Sequence, residues 1–131
     1  MSKFKNVLLV EDDPITVLVC ERIIKMTGFA ENVRIANNGQ EAYDFINDIA
    51  STDKNNLPEL IFLDINMPIM NGWEFLQNFD KVRQSFDKLP VIYILSSTVD
   101  PEDFKKAESF DIVKSFISKP LVKEHLEDIE H

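Results

Sequence analysis

The sequence predicts a doubly wound α/β domain, in which five parallel strands form one sheet and helices pack on both of its faces. Three short, uninterrupted apolar runs support this prediction, and they extend over Val7–Val10, Leu60–Leu63 and Val91–Leu95. Runs of this length that are rich in Val, Ile and Leu are typical of strands buried on both faces, as in a parallel sheet. Segments with helical periodicity separate the runs, and right-handed crossovers then place helices on both sides of the sheet.

Proline and turn signals mark the boundaries of five βα units. In the first half of the chain, the predicted elements are a strand at Lys5–Val10, a helix from Pro14 that Gly28 ends, a strand at Asn32–Ala36, a helix after the turn Asn37–Gly39 and a loop at Ser51–Pro58. In the second half, they are a strand at Leu60–Leu63, a loop at Asn66–Gly72 and a helix, a strand after Pro90, a helix from Pro101, a strand near Ser115–Ser118 and a last helix with Leu121, Val122, Leu126 and Ile129.

Length and composition indicate a single domain that extends over residues 1–131. Apolar residues make up 44% of the chain and charged residues 28%, which is ordinary for a globular protein. The formal charge of −9 argues against direct binding of nucleic acid or anionic membranes. Cys20 is the only cysteine, so no internal disulfide forms, and we expect it to behave as a small apolar residue on a helix. The chain shows no signal peptide and no membrane-spanning run, which predicts a cytoplasmic protein.

Polar side chains follow the predicted strands at the points where the strands end. They are Glu11 and Asp12 after the first strand, Asp64 after the third, Ser96 after the fourth and Lys119 after the fifth. Ligands of open parallel sheets bind outside the carboxyl ends of the strands, so we expect these side chains at one rim. Carboxylates beside a lysine and a hydroxyl predict a magnesium and phosphoryl site.

The chemistry of these residue types explains that prediction. Glu11, Asp12 and Asp64 would repel one another, so their burial is costly unless a cation lies among them. Mg²⁺ is the apt ion, because it takes oxygen ligands and pairs with phosphate oxygens. A carboxylate in the position of Asp64 can attack phosphorus and form an aspartyl phosphate, while Lys119 would place positive charge on a phosphoryl oxygen.

Each of these residues also has a purely structural interpretation. An acidic turn before a helix caps that helix, and an aspartate or serine after a strand forms a turn. A single lysine is most often solvated at the surface. The ordered occurrence of all of them at successive strand ends is what favours a site.

The motifs VLLVEDDP, IFLDINMPIMNG, ILSS and FISKP occur in this order. In this combination, from about Asn6 to Glu130, the chain resembles the receiver domain of two-component response regulators, especially the stand-alone receivers. The resemblance implies a flavodoxin-like strand order 2-1-3-4-5, with Asp64 as the phosphoacceptor. It further implies that Asp12 and Asp64 contact Mg²⁺, that Glu11 acts through water, and that the backbone carbonyl of Asn66 completes the protein ligands. The remaining implied roles are a switch hydroxyl at Ser96, a phosphoryl-binding lysine at Lys119 and an aromatic switch residue at Phe116.

Two positions depart from the pattern of the family. Ile112 and Val113 stand where many receivers have Gly-Ala before the fifth strand, so we expect a different turn that involves Asp111. Phe116 replaces the tyrosine of some receivers and offers no hydroxyl. Asp13 is assigned to the loop, because the acidic pair of the family directly follows the first strand.

The predicted function is that of a phosphoryl-accepting signalling switch in a two-component system or phosphorelay. A histidine kinase or phosphotransfer protein would supply the phosphoryl group to Asp64, and an output protein would bind the face Pro101–Ile129. The chain would catalyse only its own phosphorylation and slow dephosphorylation, so it is not expected to be an enzyme with turnover. The alternative is a haloacid-dehalogenase-type phosphatase with Asp64 as nucleophile, which Asn66 disfavours because that class needs a second aspartate at this position. A flavodoxin-like FMN binder is also disfavoured, because the loop after the first strand is acidic.

Overall fold

A computed structural model describes residues 2–129, so Met1, Glu130 and His131, which the domain prediction includes, lie outside the described residues. The described part contains five strands, which are β1 (Phe4–Val10), β2 (Ala30–Ala36), β3 (Leu60–Leu63), β4 (Val91–Ser96) and β5 (Val113–Ser118). The helices that follow them are α1 (Pro14–Thr27), α2 (Gly39–Thr52), α3 (Gly72–Val82), α4 (Pro101–Glu108) and α5 (Lys123–Asp128). No helix within residues 2–129 has the length and apolar character to cross a membrane.

All strand pairs are parallel, and the strands lie in the order β2-β1-β3-β4-β5. The predicted doubly wound fold and its strand order are therefore confirmed. The central strand β3 is fully buried, and its side chains alternate between two apolar cores. Ile61 and Leu63 pack on the face that α2 and α3 cover, while Leu60 and Phe62 pack on the face with α1 and α5. Helices on both faces explain why this strand has no polar residue.

Both edge strands begin earlier than the sequence predicts. β2 starts at Ala30, whose backbone pairs with Phe4, and β5 starts at Val113, which pairs with Ile92. The edge strand β5 is largely solvent-exposed, with Lys114 and Ser115 on its surface. A search for apolar runs does not detect the start of a strand that carries exposed polar residues.

The ends of two helices also correct the sequence prediction. The segment Ser51–Pro58 is not wholly a loop, because α2 continues to Thr52 and a 3₁₀ turn follows at residues 54–56. The hydroxyls of Ser51 and Thr52 donate to the carbonyl of Asp48, at 3.0 and 2.7 Å, and satisfy the last turn. At the other end of the chain, α5 starts only at Lys123, so Leu121 and Val122 precede it and Ile129 follows it. Leu121 and Ile129 are nevertheless buried, which explains why they resemble helix core positions.

The turn before β5 contains Asp111, as expected. One terminal nitrogen of Arg83 lies 2.7 Å from Oδ1 of Asp111 and 2.9 Å from Oδ1 of Asp80. This pair connects the end of α3 to the turn that follows α4. Ile112 is buried directly after it in the core under α3.

Two glycines hold the loop after β3 against its neighbours. The amide of Gly39 donates to the carbonyl of Met70 at 2.8 Å, which attaches the loop to the start of α2. At Gly72, the first residue of α3, a Cβ atom would lie 2.5 Å from the carbonyl oxygen of Asp64 and 2.7 Å from the Cα of Ile65. The start of α3 therefore lies directly on the backbone of Asp64, and this contact fixes the position of the residue.

Gly72→Ala should consequently destabilise the protein, although alanine is the better helix former by about 1 kcal/mol. We expect overpacking to lower the free energy of unfolding by about 1–3 kcal/mol in urea titrations followed by circular dichroism. Gly28→Asn is the control, because Gly28 has φ 65° with open space around it and asparagine tolerates this backbone region. A Gly72→Ala protein as stable as the wild type would contradict the contact.

Candidate functional site

Backbone hydrogen bonds beyond the strand ends bring the predicted site residues to one rim. The amide of Glu11 donates to the carbonyl of Ala36 at 2.9 Å, and the amide of Asp64 donates to that of Val10 at 3.0 Å. On the other side, the amide of Lys119 donates to the carbonyl of Ser96 at 2.9 Å. These bonds extend the sheet by one residue, so the polar side chains begin from fixed backbone positions.

Three carboxylates converge at this rim. One oxygen atom from each of Glu11, Asp12 and Asp64 lies within 4.8 Å of the other two. Glu11 is 1% exposed and Asp64 is 5% exposed, whereas Asp12 lies at the surface. Acidic oxygen ligands with one side open to solvent fit a hard divalent cation such as Mg²⁺, which keeps several of its waters.

Lys119 lies beside these carboxylates and is not solvated at the surface. Its Nζ atom is 2.6 Å from Oε1 of Glu11 and 3.7 Å from Oδ1 of Asp64. Oε1 of Glu11 is buried and has no partner with hydrogen-bond geometry within residues 2–129, so the ammonium charge is what compensates it. One ammonium group balances only part of the negative charge of three carboxylates, and this imbalance favours an added cation.

The pKa values reflect the same arrangement. Burial raises the pKa of Glu11, and repulsion from Asp64 adds to the effect against the opposing influence of Lys119. Burial also raises the pKa of Asp64, with a smaller contribution from the charge of Asp12, although Lys119 acts in the opposite direction. Burial alone would lower the pKa of Lys119, but Glu11 and Asp64 outweigh it, so that pKa is raised. Lys119 is therefore charged at neutral pH.

Ser96 and Asn66 are the next predicted site residues, and Asp13 is the acidic residue assigned to the loop. Ser96 is buried, and its Oγ accepts a hydrogen bond from the amide of Thr98 at 3.2 Å. Asn66 is exposed, and its backbone amide donates to Oδ1 of Asp64 at 3.4 Å. Asp13 lies outside the cluster and caps α1, because its carboxylate accepts from the amide and hydroxyl of Thr16 at 3.1 and 2.6 Å. These bonds hold the pKa of Asp13 below its ordinary value.

Phe116 lies on β5, away from the carboxylates, and is half-buried. Its ring packs edge-on against Phe104 of α4, with 4.6 Å between the ring centroids. Sequence reasoning did not find this contact, because it depends on where α4 lies over the sheet. It also gave no indication that the peptide bond between Lys119 and Pro120 is cis.

Comparison with known proteins gives one consistent result. A family model described as the response regulator receiver domain matches residues 7–129. The chain is 32% identical to the two-component response regulator ORR41 of Oryza sativa subsp. japonica, over 95% of this chain and 90% of that protein. Among solved structures, it resembles a two-component response regulator from Cytophaga hutchinsonii with a TM-score of 0.87 and 34% identity, over 98% of this chain and 94% of that chain.

Other relatives are much longer than this chain. The osmosensing histidine protein kinase SLN1 of Saccharomyces cerevisiae is 28% identical over 95% of this chain, yet the match covers only 10% of that protein. The chain also spans 51% of the response regulator Rre1 of Synechocystis. The shared part is thus a unit that occurs in proteins of different architecture.

Without divalent cations, Asp64→Asn should stabilise the protein increasingly as the pH rises. A raised pKa means that the folded state binds the proton of Asp64 more tightly than the unfolded state does. The resulting stability is present below the ordinary pKa of 3.8 and is lost as the pH rises through the raised value. Asparagine does not ionise, so its advantage in free energy of unfolding should grow with pH from about 4 and then level off. Urea unfolding in a chelating buffer measures the difference.

Asp13→Asn serves as the control of opposite sign, since asparagine keeps the helix cap. The pKa of Asp13 is lowered, so this residue contributes stability that is present above the ordinary value of 3.8 and lost as the pH falls. The variant should therefore lose stability relative to the wild type as the pH rises. Parallel pH profiles for the two variants would contradict the assigned environments.

Proposed function

The chain belongs to the response regulator receiver family, and we propose that it is a phosphoryl-accepting switch in which Asp64 is the acceptor. The observation that supports this most directly is the buried carboxylate of Asp64 at the end of the central strand, beside Lys119 and two further carboxylates. Proteins of this family are signalling switches and not enzymes with turnover. The single receiver domain that we propose for residues 1–131 includes the 7–129 span of the family match.

Asp64 would act as the nucleophile in the transfer. One of its carboxylate oxygens attacks the phosphorus of a phosphohistidine, the P–N bond breaks, and the imidazole of the donor leaves and takes up a proton. The contact between Gly72 and the backbone of Asp64 holds the nucleophile in a fixed position. A fixed position lowers the entropic part of the barrier, because the carboxylate need not be ordered during the reaction.

Glu11, Asp12, Asp64 and the backbone carbonyl of Asn66 are the groups that would hold Mg²⁺. The ion would neutralise negative charge on the phosphoryl oxygens when it is bound. The convergence of three carboxylate oxygens within 4.8 Å supports this assignment. Glu11 is buried and its Oε1 atom is paired with Lys119, which disfavours direct coordination of the ion by this carboxylate. This supports a role of Glu11 through water.

Lys119 and Ser96 would bind the oxygens of the phosphoryl group once it is on Asp64. The ammonium of Lys119 is a compact charge that already lies between Glu11 and Asp64, and it would turn to a phosphoryl oxygen on Asp64. The hydroxyl of Ser96 accepts one hydrogen bond but donates to no acceptor within residues 2–129. Its proton is therefore available to a new oxygen at the rim.

Receiver domains interact with histidine kinases or phosphotransfer proteins, and we propose such a protein as the donor. Ile15, Leu18 and Val19 on α1 are 71%, 54% and 43% exposed. Ile15 and Val19 line a cleft of about 300 Å³ together with Lys119 and Pro120. An apolar surface beside the acceptor suits a donor that must cover the rim and exclude water. The face Pro101–Ile129 stays our proposal for the output partner.

Incubation with acetyl phosphate and Mg²⁺ should add one phosphoryl group per chain, measured by intact-protein mass spectrometry. Asp64→Asn should abolish the addition, because an amide is not a nucleophile for phosphorus. Asp13→Asn, the control variant with the same loss of charge nearby, should be phosphorylated like the wild type. Wild-type levels of phosphorylation in Asp64→Asn would show that the acceptor is another residue.

Mg²⁺ should stabilise the wild type against thermal unfolding by mass action, by about 2.7 kcal/mol at a hundred times the dissociation constant. Asp12→Asn should lose most of this stabilisation, because it removes one of the three carboxylates. Asp13→Asn should retain it, since its carboxylate is engaged with Thr16. Equal stabilisation of both variants by Mg²⁺ would place the ion elsewhere.

A further inference from the structure

A continuous series of hydrogen bonds leads from Ser96 to α4. The amide of Thr98 donates to Oγ of Ser96 at 3.2 Å, and the hydroxyl of Thr98 donates to Oδ2 of Asp103 at 2.6 Å. The same hydroxyl oxygen accepts from the amide of Asp100, the N-cap of α4, at 3.2 Å. Thr98 and Asp103 are half-buried. One threonine thus connects the rim to both the cap and the first turn of α4.

The helix that these bonds hold is weakly anchored elsewhere. α4 has eight residues, and Ala107 is its only fully buried residue. Helices with little buried apolar surface are displaced at low free-energy cost. A change in the hydrogen bonds at the amino end of α4 is therefore expected to displace the helix.

Phe104 connects α4 to β5. Phe104 is the residue after Asp103 in α4, and its ring contacts the ring of Phe116 edge-on. Any displacement of the first turn of α4 changes the space available to the Phe116 ring. The sequence of contacts from Ser96 through Thr98, Asp103 and Phe104 thus ends at Phe116.

We propose that Thr98 and Asp103 are positioning residues that couple the hydroxyl of Ser96 to α4, and that Phe104 passes the displacement to Phe116. The inference rests on the proposed function, since a phosphoryl group on Asp64 supplies the pull on Ser96. Ser96 can donate to a phosphoryl oxygen and still accept from the amide of Thr98, so Thr98 follows it. The short bond to the carboxylate of Asp103 is charge-assisted and transmits the movement to the first turn of α4.

Trp73 provides an optical reporter for α4. It is the only tryptophan of the chain. Its ring stacks on Phe110 with 6.2 Å between centroids, and Nζ of Lys106 lies 5.1 Å from its centre. Both partners lie on α4 or directly after it, so displacement of α4 changes the surroundings of the indole and its fluorescence.

The experiment uses beryllofluoride with Mg²⁺ as a phosphoryl mimic on the full chain. Amide shifts at residues 64–66 report the rim, while shifts at residues 101–108 and 116 and the fluorescence of Trp73 report the remote response. In Thr98→Val, the rim shifts should persist and the remote response should fall to a small fraction of the wild-type response. Thr98→Ser, which keeps the hydroxyl, should restore the remote response.

A second pair of variants tests the acceptor. Asp103→Ala should reduce the remote response in the same way, whereas Glu102→Ala should not, although Glu102 is also an acid of the first turn of α4. Acetyl phosphate should phosphorylate all these variants at the wild-type rate, which a damaged fold would not permit.

Two outcomes would overturn the coupling. One is a full remote response in Thr98→Val. The other is that the spectrum of Thr98→Val without the mimic already resembles the spectrum of the wild type with beryllofluoride. Thr98 would then hold α4 in its resting position and would not transmit the displacement of Ser96 to it. Failure of the proposed function itself would look different, since the wild type would then show no shifts at residues 64–66.

Discussion

The ion pair between Lys119 and Glu11 is the interaction on which the site depends. It brings an ammonium group from the end of β5 to within 2.6 Å of a carboxylate that is 1% exposed at the end of β1. A buried charge without such a partner would be strongly destabilising, so the pair makes it possible to keep Glu11 ionised beneath the rim. Strands β3 and β4 lie between β1 and β5, so the pair spans the end of β3 and places Lys119 next to Asp64 as well. Lys119 therefore lies beside Asp64, the proposed acceptor, because the buried carboxylate of Glu11 requires a positive partner.

The rim contains unfavourable interactions between carboxylates, but the sheet that carries it is stabilised by packing that does not involve the rim. Two apolar cores hold β3 from both faces, and the start of α3 lies on the backbone of Asp64 without room for a Cβ atom. These contacts are unaffected by what binds at the rim. The buried carboxylates of Glu11 and Asp64, in contrast, are destabilised by burial and by neighbouring negative charge, and their pKa values are raised as a result. A cation or a phosphoryl group can relieve that repulsion without any change in the packing of the two cores.

The sequence predicts the centre of this molecule better than its edges. The bounds of β3 were predicted correctly, since a strand buried on both faces carries only apolar residues and its end is marked by Asp64. The residues of the rim were found for the same reason, because each follows a recognisable strand. The start of β5 was missed, since Lys114 and Ser115 are exposed on an edge strand. The bond from Thr98 to Asp103 and the contact of Phe104 with Phe116 were also missed, because they depend on the placement of α4, which no local pattern reports.

The burial of β3 has a consequence for the fidelity of signalling. Its four residues are fully buried and pair with strands on both sides, so thermal fluctuation moves the end that carries Asp64 very little. α4, with one buried residue, fluctuates far more. The strand that carries Asp64 is therefore held firmly while α4 is held lightly, so the position of Asp64 should vary little between molecules even where α4 takes up different positions.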